Sequence, residues 1–248
     1  MKNFLALIAV FALGYMIVVS LDNNDAFPDY GEADVSSRVS QDYIDRSVTE
    51  NPGDIVFEES SDLESGPANI VTAIVADYRS FDTLGEVTVL FISSLGVALL
   101  IGGVKQKRLD FNFHPNFMLK VGSRALFGII LMTGVYVASH GHLTPGGGFP
   151  GGAMIASSIL LLYLADDEFR AKMQGFKMLE SFAGVAYVLI GLIGLFAFDY
   201  FLINFLDNGV IGELFSSGII PIIYIVIGLK VGSEISGIID NFLTEEVA

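Results

Sequence analysis

The feature that most constrains this chain is a stretch of glycine and proline that interrupts long apolar sequence. Between His140 and Gly152 the sequence reads His-Gly-His-Leu-Thr-Pro-Gly-Gly-Gly-Phe-Pro-Gly-Gly. Glycine gives up the most backbone entropy in a helix and proline blocks the hydrogen-bond ladder, so this stretch predicts a break. The clean apolar run after it, 153–165, would rise only about 20 Å, whereas a bilayer core is about 30 Å thick. We therefore expect part of the 145–152 loop to lie at membrane depth as irregular backbone, buried in protein or lining a wet cavity.

This predicted broken loop contains the candidate residues His140, His142, Pro145, Gly146, Gly147, Gly148, Phe149, Gly151 and Gly152. Two histidines two positions apart, with no third ligand nearby, are weak evidence for a metal site, so no metal is predicted. Hydrogen bonding to the carbonyl groups of the loop is the favoured use of both rings. No Gly-Lys-Ser or Gly-Lys-Thr follows, so the glycines do not form a phosphate-binding loop of that type.

Composition predicts an all-α, polytopic membrane protein with about six transmembrane helices. The chain has 248 residues, of which 52% are hydrophobic, in several long apolar runs. It contains no cysteine, which excludes thiolate-bound clusters and cysteine nucleophiles, so redox chemistry must belong to other chains. No nucleophile with its base is evident, and a net charge of -15 gives no basic excess for nucleic acid. We expect a subunit that is not an enzyme by itself and holds no cofactor.

Charge and apolar runs divide the chain into four segments. They are a first transmembrane helix (1–21), an acidic external loop (22–68), a helix, turn and second transmembrane helix (69–108), and a four-helix domain (109–248). Basic residues cluster at 105–108, 120–124 and 170–177. Lysine and arginine are enriched in cytoplasmic loops, so these clusters are expected to face the cytoplasm. We predict a multi-pass plasma-membrane protein with both termini in the cytoplasm.

The ionisable residues around the second span are candidates for ion handling. Residues 69–78 predict a short helix, with one face formed by Ile70, Val71, Ile74 and Val75. A spanning helix is expected from Leu84, and Thr83-Leu84-Gly85-Glu86 has the form of a capping box. Glu86 can serve as that cap, as an ion ligand beside the membrane, or as both. The ion-path candidates of this region are Asp77, Arg79, Asp82 and Glu86.

The last predicted span also carries charge. A helix of about twenty residues from Gly218 must include Lys230, and Glu234 lies four residues on, on the same face. If the helix begins at Leu214 instead, Lys230 reaches the cytoplasmic surface by snorkelling, which is the favoured interpretation. The alternative adds Lys230 and Glu234 to the ion-path candidates.

Two motifs resemble known membrane proteins. The stretch 141–152, flanked by apolar helices, resembles the hallmark of the B subunit of Mrp-type multisubunit sodium/proton antiporters, and the similarity runs from about Phe113 to the C-terminus. Residues 69–71 and 77–86 are similar to the C-terminal region of the large A subunit of those antiporters. In archaeal membrane-bound hydrogenases and sulfane-sulfur reductases, that region corresponds to a small separate subunit.

The resemblance implies a membrane subunit that helps to line a sodium path, with sodium as the transported ion. The two pieces are fused without the large body of the A subunit, which favours an archaeal redox-driven complex. Its partners would be antiporter-like membrane subunits, a redox arm with iron-sulfur proteins, and the lipid bilayer. Pro145, Phe149 and the glycines would offer carbonyl oxygens to a hard cation. Two alternatives stay open: a scaffold that conducts no ions, and a subunit of a free-standing Mrp antiporter.

Overall fold

The computed structural model describes residues 2–22, 56–61, 63–101, 106–108, 115–166 and 168–246. It confirms a helical, polytopic membrane protein, since five of the described helices are long and apolar enough to cross a bilayer. These five are α3 (Ser80–Ile101), α4 (Phe117–Ser139), α5 (Gly148–Ala165), α6 (Met173–Phe198) and α7 (Ile220–Phe242).

The N-terminal helix belongs to a separate compact unit, 1–44, and is described by itself. It is α1 (Lys2–Asp22), 21 residues long, or about 31 Å at the usual helical rise. Its apolar part, Val10–Ser20, is shorter than the five helices above, so the first transmembrane helix expected from the sequence stays a prediction. Most of the acidic loop predicted at 22–68 lies outside the described residues.

Helix α7 is the centre of the second unit, because α3, α4, α5 and α6 all pack against it. Its apolar core residues Ile223, Ile227 and Val231 are almost fully buried. Gly228 and Gly232 face α5 on one side, where the absence of a side chain allows the two backbones to approach closely. Helices α3 and α6 both lie along α7 but scarcely contact each other.

The glycine-proline stretch is helical over more of its length than predicted. Helix α5 already begins at Gly148, so the prediction of irregular backbone across Phe149, Gly151 and Gly152 is wrong. Pro150 falls in the first helical turn, where its missing N–H would have no partner anyway. The helix then has 18 residues and rises about 27 Å, which removes most of the length deficit seen in the sequence.

The glycines of α5 serve close packing. A Cβ at Gly148 would lie 2.6 Å from the Cβ of Ile227, and one at Gly152 would lie 2.7 Å from the Cβ of Val231, both on α7. A Cβ at Gly151 would meet the Ala138 Cβ of α4 at 2.7 Å. These positions seat α5 between its two neighbours.

The segment before α3 is helical but differs from prediction in two respects. A single turn, α2 (Ile70–Thr72), continues into a π-helix (Ala73–Tyr78), and α3 starts at Ser80 rather than at Leu84. Thr83 is therefore inside α3 and caps nothing; its hydroxyl donates to the Val75 carbonyl at 2.6 Å. The predicted capping box is wrong, because the Thr83 hydroxyl is bonded to a carbonyl of the preceding π-helix and not to a backbone N–H at the start of α3.

The inward face of this segment is also not the predicted one. Thr72, Ala73 and Ala76 are buried, whereas Val71 and Val75 are exposed. Small side chains face the rest of the unit because they allow the π-helix to lie close to it.

We define the basic end as the end of the helix bundle that carries Lys120 and Arg124. Two contacts connect separate parts of the chain there. Strands β1 (Gln106–Arg108) and β2 (Thr244–Glu246) pair antiparallel. Arg124 donates to Asp166, just after α5, at 2.7 Å. This hydrogen bond is the main reason that the pKa of Asp166 lies below its usual range.

Candidate functional site

The irregular loop that remains, 140–147, is held by the segment before α3. The Asn69 side chain donates through Nδ2 to the carbonyls of Gly141 and Thr144, at 2.9 and 3.0 Å. Its backbone N–H donates to the His142 carbonyl at 3.1 Å. A single asparagine from the 69–108 segment thus satisfies three carbonyls of the 109–248 segment.

A second bridge runs alongside the first. The Tyr224 hydroxyl of α7 donates to Thr72 Oγ1 at 3.0 Å, and Thr72 donates to the Gly141 carbonyl at 2.6 Å. With the Asn69 bond, this carbonyl accepts two hydrogen bonds, which fills both of its lone pairs. The sequence suggested that this loop offers its carbonyls to a cation, but at Gly141 that interpretation is wrong.

The two histidines of the loop have different surroundings. His142 is 0% exposed, and its Nε2 lies 3.1 Å from the Leu214 carbonyl. Burial lowers the pKa of His142, so the neutral ring is favoured. His140 stacks on Tyr136 with ring centroids 4.2 Å apart. In the described part of the chain, no three histidine or carboxylate side chains come together as a metal site.

The other loop candidates divide between turn and helix. Pro145 and Gly146 are exposed in the turn. Gly147 directly precedes α5 and packs closely on Gly141: a Cβ added to Gly141 would lie 2.5 Å from the Gly147 Cα and 2.7 Å from its N. Gly146 and Gly147 both have positive φ, 159° and 129°, a region that strongly favours glycine. Phe149 packs on the main hydrophobic core. All four shape the connection between α4 and α5.

Lys230 and Glu234 form a buried ion pair near the middle of α7. The Lys230 Nζ lies 2.6 Å from Glu234 Oε1, and the two side chains are 9% and 0% exposed. The favoured interpretation, that Lys230 snorkels to a surface, is wrong. The helix starts at Ile220 rather than at Leu214, so Lys230 falls too deep to reach an end.

The surroundings of Lys230 come from two other helices. Its Nζ lies 4.8 Å from the ring centroid of Phe91 on α3, a distance typical of a cation–π contact. On the opposite side it lies 3.6 Å from where a Cβ of Gly184 on α6 would be. The ammonium group therefore lies in van der Waals range of α6 at Gly184.

A groove runs between α3 and α6, with α7 as its floor. One cavity of about 330 Å³ is lined by Phe91, Glu180, Tyr187 and Lys230 among others. A second cavity of about 490 Å³ shares Phe91 and Glu180 and continues to Asp240 at the end of α7. Lys230 of the buried pair therefore lines a groove that leads toward the basic end.

The remaining ion-path candidates lie apart from this pair, before and in the first turns of α3. Burial, followed by repulsion from Glu64, raises the pKa of Asp77 to about 6. Arg79 and Asp82 form an exposed ion pair, with Nε 2.7 Å from Oδ2. Glu86 is exposed on α3. The structure therefore divides the candidates into two groups.

Sequence reasoning missed Asn69, Thr72 and Glu180. Asn69 was identifiable as a helix cap, and it does accept from Val71 N–H at 3.1 Å, but its long-range bonds have no local signal. Glu180 was missed because it precedes the uninterrupted apolar run that starts at Phe182, whereas α6 begins at Met173. A carboxylate inside an apolar span would have been a candidate.

Two family models match, and their boundary coincides with that between the two segments. Residues 32–107 match MbhE, the family of the E subunit of MBH. Residues 118–237 match the domain related to the MnhB subunit of Na+/H+ antiporters. The Asn69 and Thr72 bonds thus connect residues matched by different families.

Solved structures and curated proteins extend this result. A chain of the membrane-bound sulfane sulfur reductase, an archaeal respiratory membrane complex, is 42% identical, with a TM-score of 0.77 and 99% of each chain covered. The Mrp complex of Dietzia sp. is 24% identical with a TM-score of 0.59, over 73% of this chain and 21% of that one; this likeness concerns the fold alone.

Among curated proteins, an uncharacterised protein of Methanocaldococcus jannaschii is 30% identical over 68% of this chain and 74% of its own length. The B subunit of the Na+/H+ antiporter of Alkalihalophilus pseudofirmus is 34% identical over 36% of this chain and 65% of its own.

Proposed function

The chain belongs to the family of membrane proteins that join an MbhE segment to an MnhB-related domain, and we propose that it carries part of the ion path of a multisubunit complex. Sodium is the proposed transported ion. The chain itself performs no redox chemistry, which falls to partner subunits with iron-sulfur clusters. The basic end faces the cytoplasm, as the clustered lysines and arginines favour, and the membrane is the plasma membrane.

The buried pair of Lys230 and Glu234 carries this proposal. Placing one such charge at the centre of a spanning helix costs about 2.5–3.5 kcal/mol on insertion scales. A buried ion pair stabilises a fold no better than apolar residues of similar volume, and often less well. An ammonium and a carboxylate in mid-span, with the ammonium group lining a groove, are therefore better explained by ion transfer than by stability.

The test separates the two roles of the pair by single and double substitution. Lys230→Met or Glu234→Leu alone leaves an unpaired buried charge and should cost about 3–5 kcal/mol of stability. The double variant leaves none, so the complex should assemble with near-normal thermal stability. Sodium-dependent transport in vesicles that contain the assembled complex should be lost in all three.

Lys172→Met is the matched control, since Lys172 is exposed outside the helices, and it should assemble and transport normally. An assembled double variant with wild-type transport would refute the ion-path proposal.

A scaffold role is the second candidate, favoured by the bonds from Asn69 and Thr72 to the 140–147 loop. A scaffold alone predicts that the Lys230/Glu234 double variant keeps both assembly and transport. Mass spectrometry of the complex isolated in mild detergent addresses the partners. Iron-sulfur proteins among them support a redox-driven complex, whereas antiporter-like subunits alone support a free-standing antiporter.

A further inference from the structure

Resting on the proposed function, we infer that Glu180 completes a monovalent-cation site with Lys230 and Glu234, and that water and the cation reach it through the groove between α3 and α6. The site would hold either a proton or Na+, and the groove would open at the basic end. Glu180 acts here as a direct ligand to the cation.

Position is the first step of the argument. Glu180 lines both cavities of the groove, and Lys230 lines the inner one. Glu180 and Gly184 are four residues apart on α6 and so share a face, and Lys230 Nζ lies against Gly184. Glu180 and Lys230 therefore line the same inner cavity.

Charge is the second step. The carboxylates that line the groove are those of Glu180 and Asp240, and a third, Glu234, is bonded to Lys230 at the inner end; the ammonium groups are those of Lys177 and Lys230. When all are ionised, one negative charge is in excess. Inside a membrane protein, where the dielectric constant is low, such an excess strongly favours the uptake of one more positive charge.

An unpartnered oxygen is the third and independent step. Glu234 is fully buried, and only its Oε1 is bonded, to Lys230; its Oε2 has no hydrogen-bond partner among the described residues. A buried carboxylate oxygen without a donor is costly. A proton or a Na+ ion would satisfy it, since Na+ is a hard cation that prefers oxygen ligands.

The access route explains why the cavities are polar at one end. The outer part of the groove carries hydroxyls of Ser94, Ser181 and Ser233 together with Asp240. The inner part, beside Lys230, is lined by mostly apolar residues and the Tyr187 ring. A groove with hydroxyls and a carboxylate at one end and the Lys230 ammonium group at the other is suited to bring water and a cation to one point.

The route is tested by cysteine accessibility, because the chain has no cysteine of its own. Ser94→Cys and Ser181→Cys place thiols in the groove, whereas Ser93→Cys on the exposed surface of α3 is the matched neighbour. The assembled complex, reconstituted in vesicles, is treated with a charged, membrane-impermeant methanethiosulfonate. We expect the two groove thiols to react at least about tenfold faster than the thiol of the Ser93→Cys control, because this reagent requires water.

The ion is identified by infrared difference spectroscopy on the complex, comparing the wild type with Glu180→Gln. If the site takes a proton, acidification produces a protonated-carboxyl band that Glu180→Gln removes. If it takes sodium, adding NaCl in place of choline chloride shifts carboxylate bands that Glu180→Gln removes. Either result supports the site.

Two results would overturn the inference. One is equal or slower reaction of the groove thiols, as expected if a partner helix or lipid fills the groove. The other is the absence of any proton- or sodium-induced band that depends on Glu180. If the Lys230/Glu234 double variant still loses transport, either result rejects the groove site and leaves the proposed function standing.

Discussion

The 140–147 loop and the Lys230–Glu234 pair both interrupt apolar sequence, but they treat their polar groups differently. In the loop, carbonyls freed by glycine and proline accept hydrogen bonds from Asn69 and Thr72. At the pair, Glu234 Oε2 has no hydrogen-bond partner among the described residues, and Lys230 lines a groove. The loop is thus closed by the chain's own donors, and the pair retains capacity for a ligand. The more conspicuous interruption in the sequence fixes architecture, and the less conspicuous one is suited to ions.

Gly148→Leu should have the largest effect, and it tests whether the glycine-rich stretch is needed for the packing of α5 on α7. A Cβ there would lie 2.6 Å from Ile227 Cβ and 2.8 Å from the Tyr224 carbonyl oxygen. The Tyr224 carbonyl is backbone and cannot move aside as a flexible side chain would. We therefore expect the free energy of unfolding to fall by more than about 3 kcal/mol and no assembled subunit to form. Detergent-resistant assembly on a native gel provides the measurement.

Gly128→Leu is the control for this substitution. Gly128 lies within α4, and a Cβ there meets nothing within 4 Å, so assembly should be normal. Equal assembly of both variants would show that α5 and α7 do not depend on close approach at Gly148.

Asn69→Asp should have the next largest effect, because it removes the side-chain donors while keeping size. The new carboxylate would face the Gly141 and Thr144 carbonyls, which can only repel it. We expect the free energy of unfolding to fall by about 2–4 kcal/mol, seen as a lower melting temperature of the complex. If ions pass at the Lys230–Glu234 pair, as proposed, the transport rate per assembled complex should be unchanged.

Asn116→Asp is the matched variant, since Asn116 only caps α4 by accepting from Leu119 N–H at 2.8 Å. A carboxylate accepts equally well there, so stability should change little. A fall in transport rate in assembled Asn69→Asp complexes would place ion handling at the loop and contradict the comparison.

Asp77→Asn should have the smallest effect and concerns the segment that holds the loop. The pKa of Asp77 is raised by burial from 3.8 to about 6, so its charged form destabilises the fold. This penalty is absent below the unfolded value, grows between about pH 4 and 6, and is complete above. The shift of about two units corresponds to at most about 3 kcal/mol.

Asparagine carries no charge, so the variant should be more stable than the wild type at pH 8 and similar near pH 4, as measured by thermal melting across that range. Asp82→Asn, at an exposed position, should leave the pH profile unchanged. Parallel profiles for wild type and Asp77→Asn would mean that burial of Asp77 has no energetic consequence.

Local composition was enough to predict the spanning helices. Helical spacing was enough to place Lys230 and Glu234 on the same face of the last span as ion-path candidates. The resemblance to the Mrp B subunit and to the hydrogenase-related segment is confirmed by the family matches. Predictions that depend on helix ends fail: Thr83-Leu84-Gly85-Glu86 does not cap α3, which begins at Ser80, and Lys230 does not reach a surface. Tertiary contacts decide both ends, since Thr83 bonds to a π-helix carbonyl and α7 begins at Ile220.

The loop also shows why packing could not be predicted from local sequence. Gly148, Gly151 and Gly152 suggested irregular backbone, because glycine is unfavourable in an isolated helix. Their helical conformation depends on α4 and α7, which occupy the space that side chains would need. A glycine-rich sequence therefore has two structural solutions, and only its neighbours distinguish them.

The Asn69 and Thr72 bonds have a consequence for stoichiometry. They join residues matched by the MbhE family to residues matched by the MnhB-related domain. If those pieces were separate polypeptides, the same bonds would form only when two molecules met. Within one polypeptide, covalent linkage gives each partner an effective concentration that can reach the millimolar range. The ratio of the two pieces is thereby fixed at one to one, whatever the level at which the gene is expressed.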